Sequence, residues 1–335
     1  MKAVGFTRSL PITDPESFIE FETPIPQPTG RDLLVKISAI SVNPVDFKIR
    51  QSAAKDKVLD PPKIIGWDAV GTVEAVGENT SFFKKGDKVY YAGDITRSGS
   101  NAEYQLIDER IVGRKPASLT DGEAAAIPLT ALTAWEAFYD RIRLNEKDKG
   151  KTVLLIAGAG GVGSMAIQIA KKVAGLKVVT TASRPETIDW CKKMGADIVV
   201  NHHNLVEGIH KAGIKEVDFI LDFADAGAYW DTMAELIKPQ GHIVSITSAP
   251  SVALNKLKNK SASFSWEFMF TRSTFRTDDM QQQHEILNTV ADLLDKGTLK
   301  TTLTQTFRGL SAASLKAAHQ LQESGKAIGK SVIVY

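Results

Sequence analysis

Residues 152–170 read TVLLIAGAGGVGSMAIQIA, an apolar run that breaks into four glycines and then resumes with helical spacing. Val153 to Ile156 have the makeup of a buried parallel strand. Val162, Met165, Ala166, Ile169, Ala170 and Val173 recur at steps of three and one, which marks one face of a helix. Between the two, Gly158, Gly160, Gly161 and Gly163 leave no side chain between backbone and ligand, and the N–H groups that open the helix at Gly161, Val162 and Gly163 point toward an anion. The pattern predicts a dinucleotide cradle whose pyrophosphate rests on the helix N-terminus. Nineteen residues without a charge would also suit a membrane span. Against that, four central glycines would cost roughly 1 kcal/mol each in a continuous helix, and no charge asymmetry or aromatic belt flanks the stretch.

The next strand, predicted from Lys177 to Thr181, bears on which dinucleotide is held. Position 183, twenty residues beyond Gly163, is where a NAD site usually carries an acid for the ribose 2′-hydroxyl. Here stand Ser183 and Arg184, and a small hydroxyl beside a guanidinium suits the 2′-phosphate of NADP. A structural reading stands beside this one: Ser183 and Glu186 form a capping box for a helix Pro185 to Met194, with Arg184 a solvated first-turn residue.

At 335 residues the chain exceeds one ordinary core, so two domains are expected. With 41 basic against 39 acidic residues and no basic cluster, no nucleic-acid or membrane partner is expected. The single cysteine, Cys191, rules out an internal disulfide. MKAVGFTRSLPITD has no apolar h-region, and a soluble cytoplasmic protein is expected.

Residues 1–126 alternate in the β manner (LLVKISAI, AVGTVEAVG, KVYYAG), with turn signals at Pro24, Pro26, Pro28, Gly30, Gly86 and Gly93. Residues 127–265 alternate strand and helix. Strands are predicted near 152, 177 and 197, over Val217 to Phe223 and over His242 to Ser248, with a helix Gly227 to Ile237 and a turn Pro239-Gln240-Gly241. That is the pattern of an α/β Rossmann doubly wound parallel sheet. In residues 266–335, Ile286, Leu287, Val290, Leu293 and Leu294 form a helix face closed by Gly297, and an apolar tail runs from Ser331 to Tyr335. These pieces are too few for a domain and are expected to rejoin the first.

Five stretches carry a family resemblance: SVNPVDFKIR (41–50), GWDAVGTVEAVG (66–77), KKGDKVYYAG (84–93), PLTALTAWEAF (128–138) and AGAGGVGSMAIQIAK (157–171). They resemble the medium-chain dehydrogenase/reductase superfamily, in its zinc-free quinone oxidoreductase-like branch, and more narrowly the bacterial proteins labelled zinc-type alcohol dehydrogenase-like. The resemblance spans the chain and implies a GroES-like catalytic domain before the Rossmann domain, and a homodimer.

The zinc label conflicts with the residues. A catalytic zinc needs three N, S or O ligands around an open position. In the superfamily's alcohol dehydrogenases these are a cysteine after the first core strand, a histidine in a Gly-His-Glu segment and a cysteine before the cofactor domain. The corresponding places here carry Asn43 to Asp46, Trp67 within Gly66-Trp67-Asp68, and Leu129-Thr130, and the four-cysteine structural lobe is missing. His202 and His203 are adjacent on a strand end, where they should point different ways and edge the adenine site or lie exposed. No metal site is expected.

Without a strong Lewis acid, oxidising a plain alcohol would need another way to stabilise an alkoxide. Hydride addition to a conjugated acceptor needs less, because charge spreads into an enolate or hydroquinone anion that neutral donors can hold. NADPH-dependent reduction of quinones or α,β-unsaturated carbonyls is therefore expected. The alternatives are a zinc-free alcohol or aldehyde oxidoreductase and a non-catalytic NADPH-binding protein. By resemblance, Asn43 faces the nicotinamide and acceptor, where its amide donates to the developing oxyanion, and Asp46 is either a proton relay or a cap of the loop. Thr130 is placed to touch the nicotinamide ribose, Thr133 to cap the helix around Trp135, and Thr247 and Phe270 to contact the nicotinamide half. Trp67 and Tyr91 either wall an apolar acceptor pocket or pack in the core.

Overall fold

The computed structural model describes residues 1–335 in two compact units, residues 1–129 with 270–335 and residues 130–269. The boundaries fall three to four residues beyond the expected positions 126 and 265.

In residues 130–269, six parallel strands lie in the order Ile198–Val200, Lys177–Thr181, Thr152–Ile156, Val217–Asp222, Ile237–Ser245 and Ser263–Trp266. The chain winds outward from Thr152–Ile156 in one direction, then resumes on its other side at Val217. This reversal is the topological switch of a doubly wound sheet, and the glycine turn sits at its carboxyl edge. Every residue from Val153 to Ile156 is buried, as a central parallel strand with both faces covered requires. Leu154, Ile156, Val179, Ile220 and Ile243 from the strands pack with Trp230, Met233 and Leu236 of the helix Ala226–Leu236. Each such side chain contributes roughly 1.5 to 3 kcal/mol over its exposed state. The helix Pro185–Met194 starts on its proline and stops at Gly195, whose φ of 115° only glycine adopts readily.

Two local readings differ from the sequence expectation. The Pro239-Gln240-Gly241 turn is a bulge inside the strand Ile237–Ser245, with Gln240 at φ 63° and the register slipping between Val217 and Phe219 opposite. Thr133 does not open a helix: it lies inside the helix Pro128–Glu136, because Pro128 starts that helix five residues earlier.

The other unit is built on an antiparallel sheet around the long strand Asp32–Ser41, which pairs with Ala69–Val76, Tyr104–Asp108 and the C-terminal strand Lys330–Val334. Val332 pairs with Ser41 and Ile333 with Ile40, so the last residues of the chain complete the sheet begun near its start. The predicted helix appears as Gln282–Asp295, burying Ile286, Leu287, Val290 and Leu294, while Leu293 is half-buried. Its Leu287 carbonyl accepts from the Tyr90 hydroxyl at 2.6 Å. A Cβ on Gly113 would stand 2.5 Å from that of Leu287, so only glycine permits this approach. No helix is long and apolar enough to cross a membrane.

Candidate functional site

The glycine cradle has two kinds of glycine. A Cβ on Gly158 would lie 2.0 Å from Thr180 Oγ1, and one on Gly163 would lie 2.3 Å from the Ala157 carbonyl oxygen. Both are glycine because strand, turn and helix meet without room for a methyl. A Cβ on Gly160 meets only the Ala157 oxygen, at 3.7 Å. Gly160 has extended backbone and caps the helix Gly161–Gln168, whose first-turn N–H groups at Gly161, Val162 and Gly163 have no acceptor within the helix. The turn is pinned from the neighbouring strand: Ala157 N–H donates to Thr181 Oγ1 at 2.8 Å and Gly158 N–H to the Thr181 carbonyl at 3.2 Å. Ala157 itself sits at φ 70°. This geometry fits a dinucleotide pyrophosphate, with donors and helix dipole at the turn where Gly160 leaves room.

At the end of the next strand, the capping reading changes. Pro185 occupies the first helical position, which makes Arg184 the cap residue in place of Ser183. Thr187 Oγ1 accepts from Arg184 N–H at 3.2 Å and donates to the Arg184 carbonyl at 2.7 Å, so Thr187 takes the part expected of Glu186. Ser183 stays half-buried beside the cap without forming it. The Arg184 Nε lies 3.2 Å from Glu186 Oε1, with both side chains more than a third exposed. His202 and His203 do not diverge: they share a tight helical turn, with ring centroids 4.1 Å apart.

Thr247 is held by its neighbours. Its hydroxyl accepts from Ala226 N–H at 2.8 Å and donates to Asp222 Oδ2 at 3.0 Å. Asp222, fully buried at the carboxyl end of its strand, also accepts from Ser245 Oγ at 2.8 Å and from the backbone N–H groups of Ala224 and Asp225. Sequence reading missed Asp222 and Ser245, whose only signal was an acid ending an apolar strand. Thr130 is buried in the helix Pro128–Glu136.

The β-rich unit holds a buried polar cluster of Asn43, Asp46, Asp68 and Lys330, none more than 4% exposed. Asn43 caps the helix Pro44–Ser52, and its N–H donates to Asp46 Oδ2 at 2.5 Å, so Asp46 is the third helical residue folded back on its cap. Asn43 Nδ2 donates to Asp68 Oδ2 at 2.7 Å. Asp68 Oδ1 accepts from Leu129 N–H at 2.8 Å. The Lys330 ammonium donates to the Val42 carbonyl at 3.0 Å, to Asp68 Oδ2 at 3.1 Å and to Asn43 Oδ1. Burial pushes the Asp46 carboxyl up to about 7, and its Oδ1 has no hydrogen-bond partner. Burial also raises Asp68, opposed by Lys330. Asp68 and Lys330 were not singled out from sequence.

Trp67 is fully buried: its indole N–H donates to the Asp94 carbonyl at 3.1 Å, and its ring meets Phe270 edge to face at 6.4 Å. Gly66 before it takes φ 113°, and a Cβ there would strike Asn101 Oδ1 at 2.5 Å. Tyr91 is buried on the strand Lys88–Tyr91, with its hydroxyl donating to Gln105 Oε1 at 2.9 Å.

A zinc ion does not suit this donor set. No three His, Cys, Asp or Glu side chains converge. Asp68 of the cluster already faces the Lys330 ammonium, and the only cysteine is a buried one in the other unit whose thiol is pushed up to about 12 by burial.

Residues 29–117 match the alcohol dehydrogenase GroES-like domain family, and residues 161–295 match the zinc-binding dehydrogenase family. The chain is 46% identical over 338 residues to a zinc-type alcohol dehydrogenase-like protein of Staphylococcus aureus, covering 99% of both. It is 34% identical over 239 residues to the 2-methylene-furan-3-one reductase of Solanum lycopersicum, covering 69% of this chain and 58% of that one. Among solved structures, a candidate zinc-dependent alcohol dehydrogenase of Rhizobium etli matches with TM-score 0.95 at 46% identity, covering 100% of this chain and 98% of that one. A mycobacterial protein solved with NADPH matches with TM-score 0.83 at 26% identity, covering 100% of both. The chain belongs to the medium-chain dehydrogenase/reductase superfamily of oxidoreductases, alongside the proteins described as zinc-type alcohol dehydrogenase-like.

Proposed function

We propose that the protein uses NADPH to reduce quinones or α,β-unsaturated carbonyls, and that it does so without zinc. The observation that carries this reading is the Asn43–Asp68–Lys330 cluster, a carboxamide, a carboxylate and an ammonium in a chain whose metal-ligand positions hold no histidine or cysteine. Such a set can stabilise a delocalised anion and is poorly suited to a localised alkoxide. The tomato relative is named for reducing an α,β-unsaturated ketone, and the mycobacterial neighbour was solved with NADPH.

Bound NADPH supplies the hydride. The chain's residues bind and stabilise. First-turn amides beside Gly160 hold the pyrophosphate, and Ser183 with Arg184 receives the 2′-phosphate, for which the guanidinium must leave Glu186. Asn43 Nδ2 has two hydrogens, of which Asp68 takes one, and the second serves an enolate or hydroquinone oxygen. Asp46 keeps its cap bond through Oδ2, while the unpartnered Oδ1 of a carboxyl poised near 7 is a proton reserve for the reduced product. Thr130 and Thr247 of the dinucleotide unit enter this reading at the cofactor, the Thr247 hydroxyl held by Asp222, and Trp67 and Phe270 of the β-rich unit pack edge to face. We read the protein as cytoplasmic and as a homodimer joined along the edge strand Ser263–Trp266, with Trp266 on it and Phe268 just beyond it each 47% exposed.

The description of relatives as alcohol dehydrogenase-like favours a second reading, a zinc-free alcohol or aldehyde oxidoreductase. A steady-state screen separates the two. NADPH oxidation with quinones and enones, and none with simple aldehydes, supports the proposal. NADP reduction by alcohols supports the second reading, and tight NADPH binding with no turnover on any acceptor leaves a binding protein.

A further inference from the structure

We infer that Lys330 and Asp68 are positioning residues that fix which end of the Asn43 carboxamide is the donor, an inference that rests on the reading of Asn43 given above. The two ends of an asparagine side chain are nearly the same size, so packing alone does not choose between them. Here charge chooses. Lys330 Nζ, a pure donor, meets Asn43 Oδ1, and Asp68 Oδ2, a pure acceptor, meets Asn43 Nδ2 at 2.7 Å. Turning the amide over would set NH2 against an ammonium and a carbonyl against a carboxylate, both within a cluster that water does not reach.

The clamp is itself anchored. Lys330 opens the C-terminal strand, with its backbone N–H donating to the Thr302 carbonyl at 2.8 Å and its ammonium also donating to Val42, the residue before Asn43. Asp68 follows the Gly66 turn and receives Leu129 N–H through its other oxygen. Two separate parts of the sheet unit, the C-terminal strand through Lys330 and the segment after Gly66 through Asp68, thus hold the two ends of one amide.

The test is a double-mutant cycle on single-turnover NADPH oxidation with an enone or quinone identified by the screen. Lys330→Met removes the ammonium at similar length. Because it strands a buried carboxylate that could impair folding, the neutral pair Asp68→Asn with Lys330→Met is made as well. Loss of orientation is expected to slow hydride transfer about ten- to a hundred-fold at saturating substrates, with the NADPH dissociation constant unchanged. Joined to Asn43→Ala, which alone should cost on the order of a hundred-fold, either change should add little, since there is no amide left to position. Wild-type rates in a folded neutral pair, or losses that multiply with that of Asn43→Ala, would overturn the positioning role while leaving Asn43 in place. A wild-type rate in Asn43→Ala itself would instead overturn the reading of Asn43, and this inference with it.

Discussion

Gly160 and Gly163 lie three residues apart in one motif, yet the structure assigns them different tasks and so predicts different consequences for the same methyl. In Gly160→Ala the new Cβ meets only a carbonyl oxygen at 3.7 Å, and the backbone at φ −72° and ψ 174° is open to alanine. The folded protein should lose nothing and gain about 0.4 to 1 kcal/mol from a stiffer unfolded chain. The methyl instead projects where the pyrophosphate would rest. Loss of one charge-assisted bond is worth roughly 1.5 to 3 kcal/mol, which is about a ten- to hundred-fold weaker NADPH dissociation constant. In Gly163→Ala the Cβ would stand 2.3 Å from the Ala157 oxygen and 2.7 Å from the Gly158 Cα, both backbone atoms. Helix and turn must part, with an expected cost of about 1 to 3 kcal/mol. Urea unfolding of both variants, with NADPH fluorescence titration, checks the pair. A Gly160→Ala protein that binds NADPH like wild type would remove the pyrophosphate from this turn, and one as unstable as Gly163→Ala would refute the packing argument.

Arg184→Ala should weaken NADPH about ten-fold or more and NADH little, and Glu186→Gln should tighten NADPH by releasing the guanidinium; equal losses for both cofactors in Arg184→Ala would make it a general surface residue. Asp46 carries its proton to about 7 when folded, against 3.8 ordinarily, so its stabilising share is complete below the lower value and is lost as pH rises through the upper. Between about pH 4 and pH 7 wild type should therefore lose on the order of 3 to 4 kcal/mol relative to Asp46→Asn, and parallel stability curves would contradict the burial assignment. His319, packed edge to face on Phe18 at 4.9 Å, has no partner on either ring nitrogen, and burial with nearby Arg50 lowers it from 6.5 to about 3. Its neutral form stabilises above 6.5, and that share fades as pH falls toward 3, so His319→Phe should gain on wild type in denaturant titrations toward acid.

The cradle and the return of the C-terminus were legible because local rules decide them. Glycines between an apolar run and a helical stripe admit few other structures, and an apolar tail too small for a core must join another. Misreadings came where one residue overruled its neighbours. Pro185 claims the first helical position and shifts the cap from Ser183 to Arg184, and Pro239 to Gly241 fit within a strand as a bulge because Gln240 accepts φ 63°. The Asn43 cluster was half legible: Asn43 and Asp46 form a local capping unit, whereas Lys330 and Asp68 are 262 residues apart and meet only through the sheet. A lysine opening an apolar tail and an aspartate after Gly66-Trp67 were the only traces, and neither shows its partner. Aromatic character likewise does not tell pocket from core, and the sequence holds no trace of the Gln105 partner that the Tyr91 hydroxyl finds across the sheet.

Reduction of a conjugated acceptor without zinc is tested by single-turnover NADPH oxidation with protein stripped by a strong chelator, its zinc content measured on the same sample. The full rate is expected with quinone or enone at less than stoichiometric zinc, with no change when zinc is restored. One tightly held zinc per chain, whose removal abolishes turnover and whose return restores it, would refute zinc-free reduction.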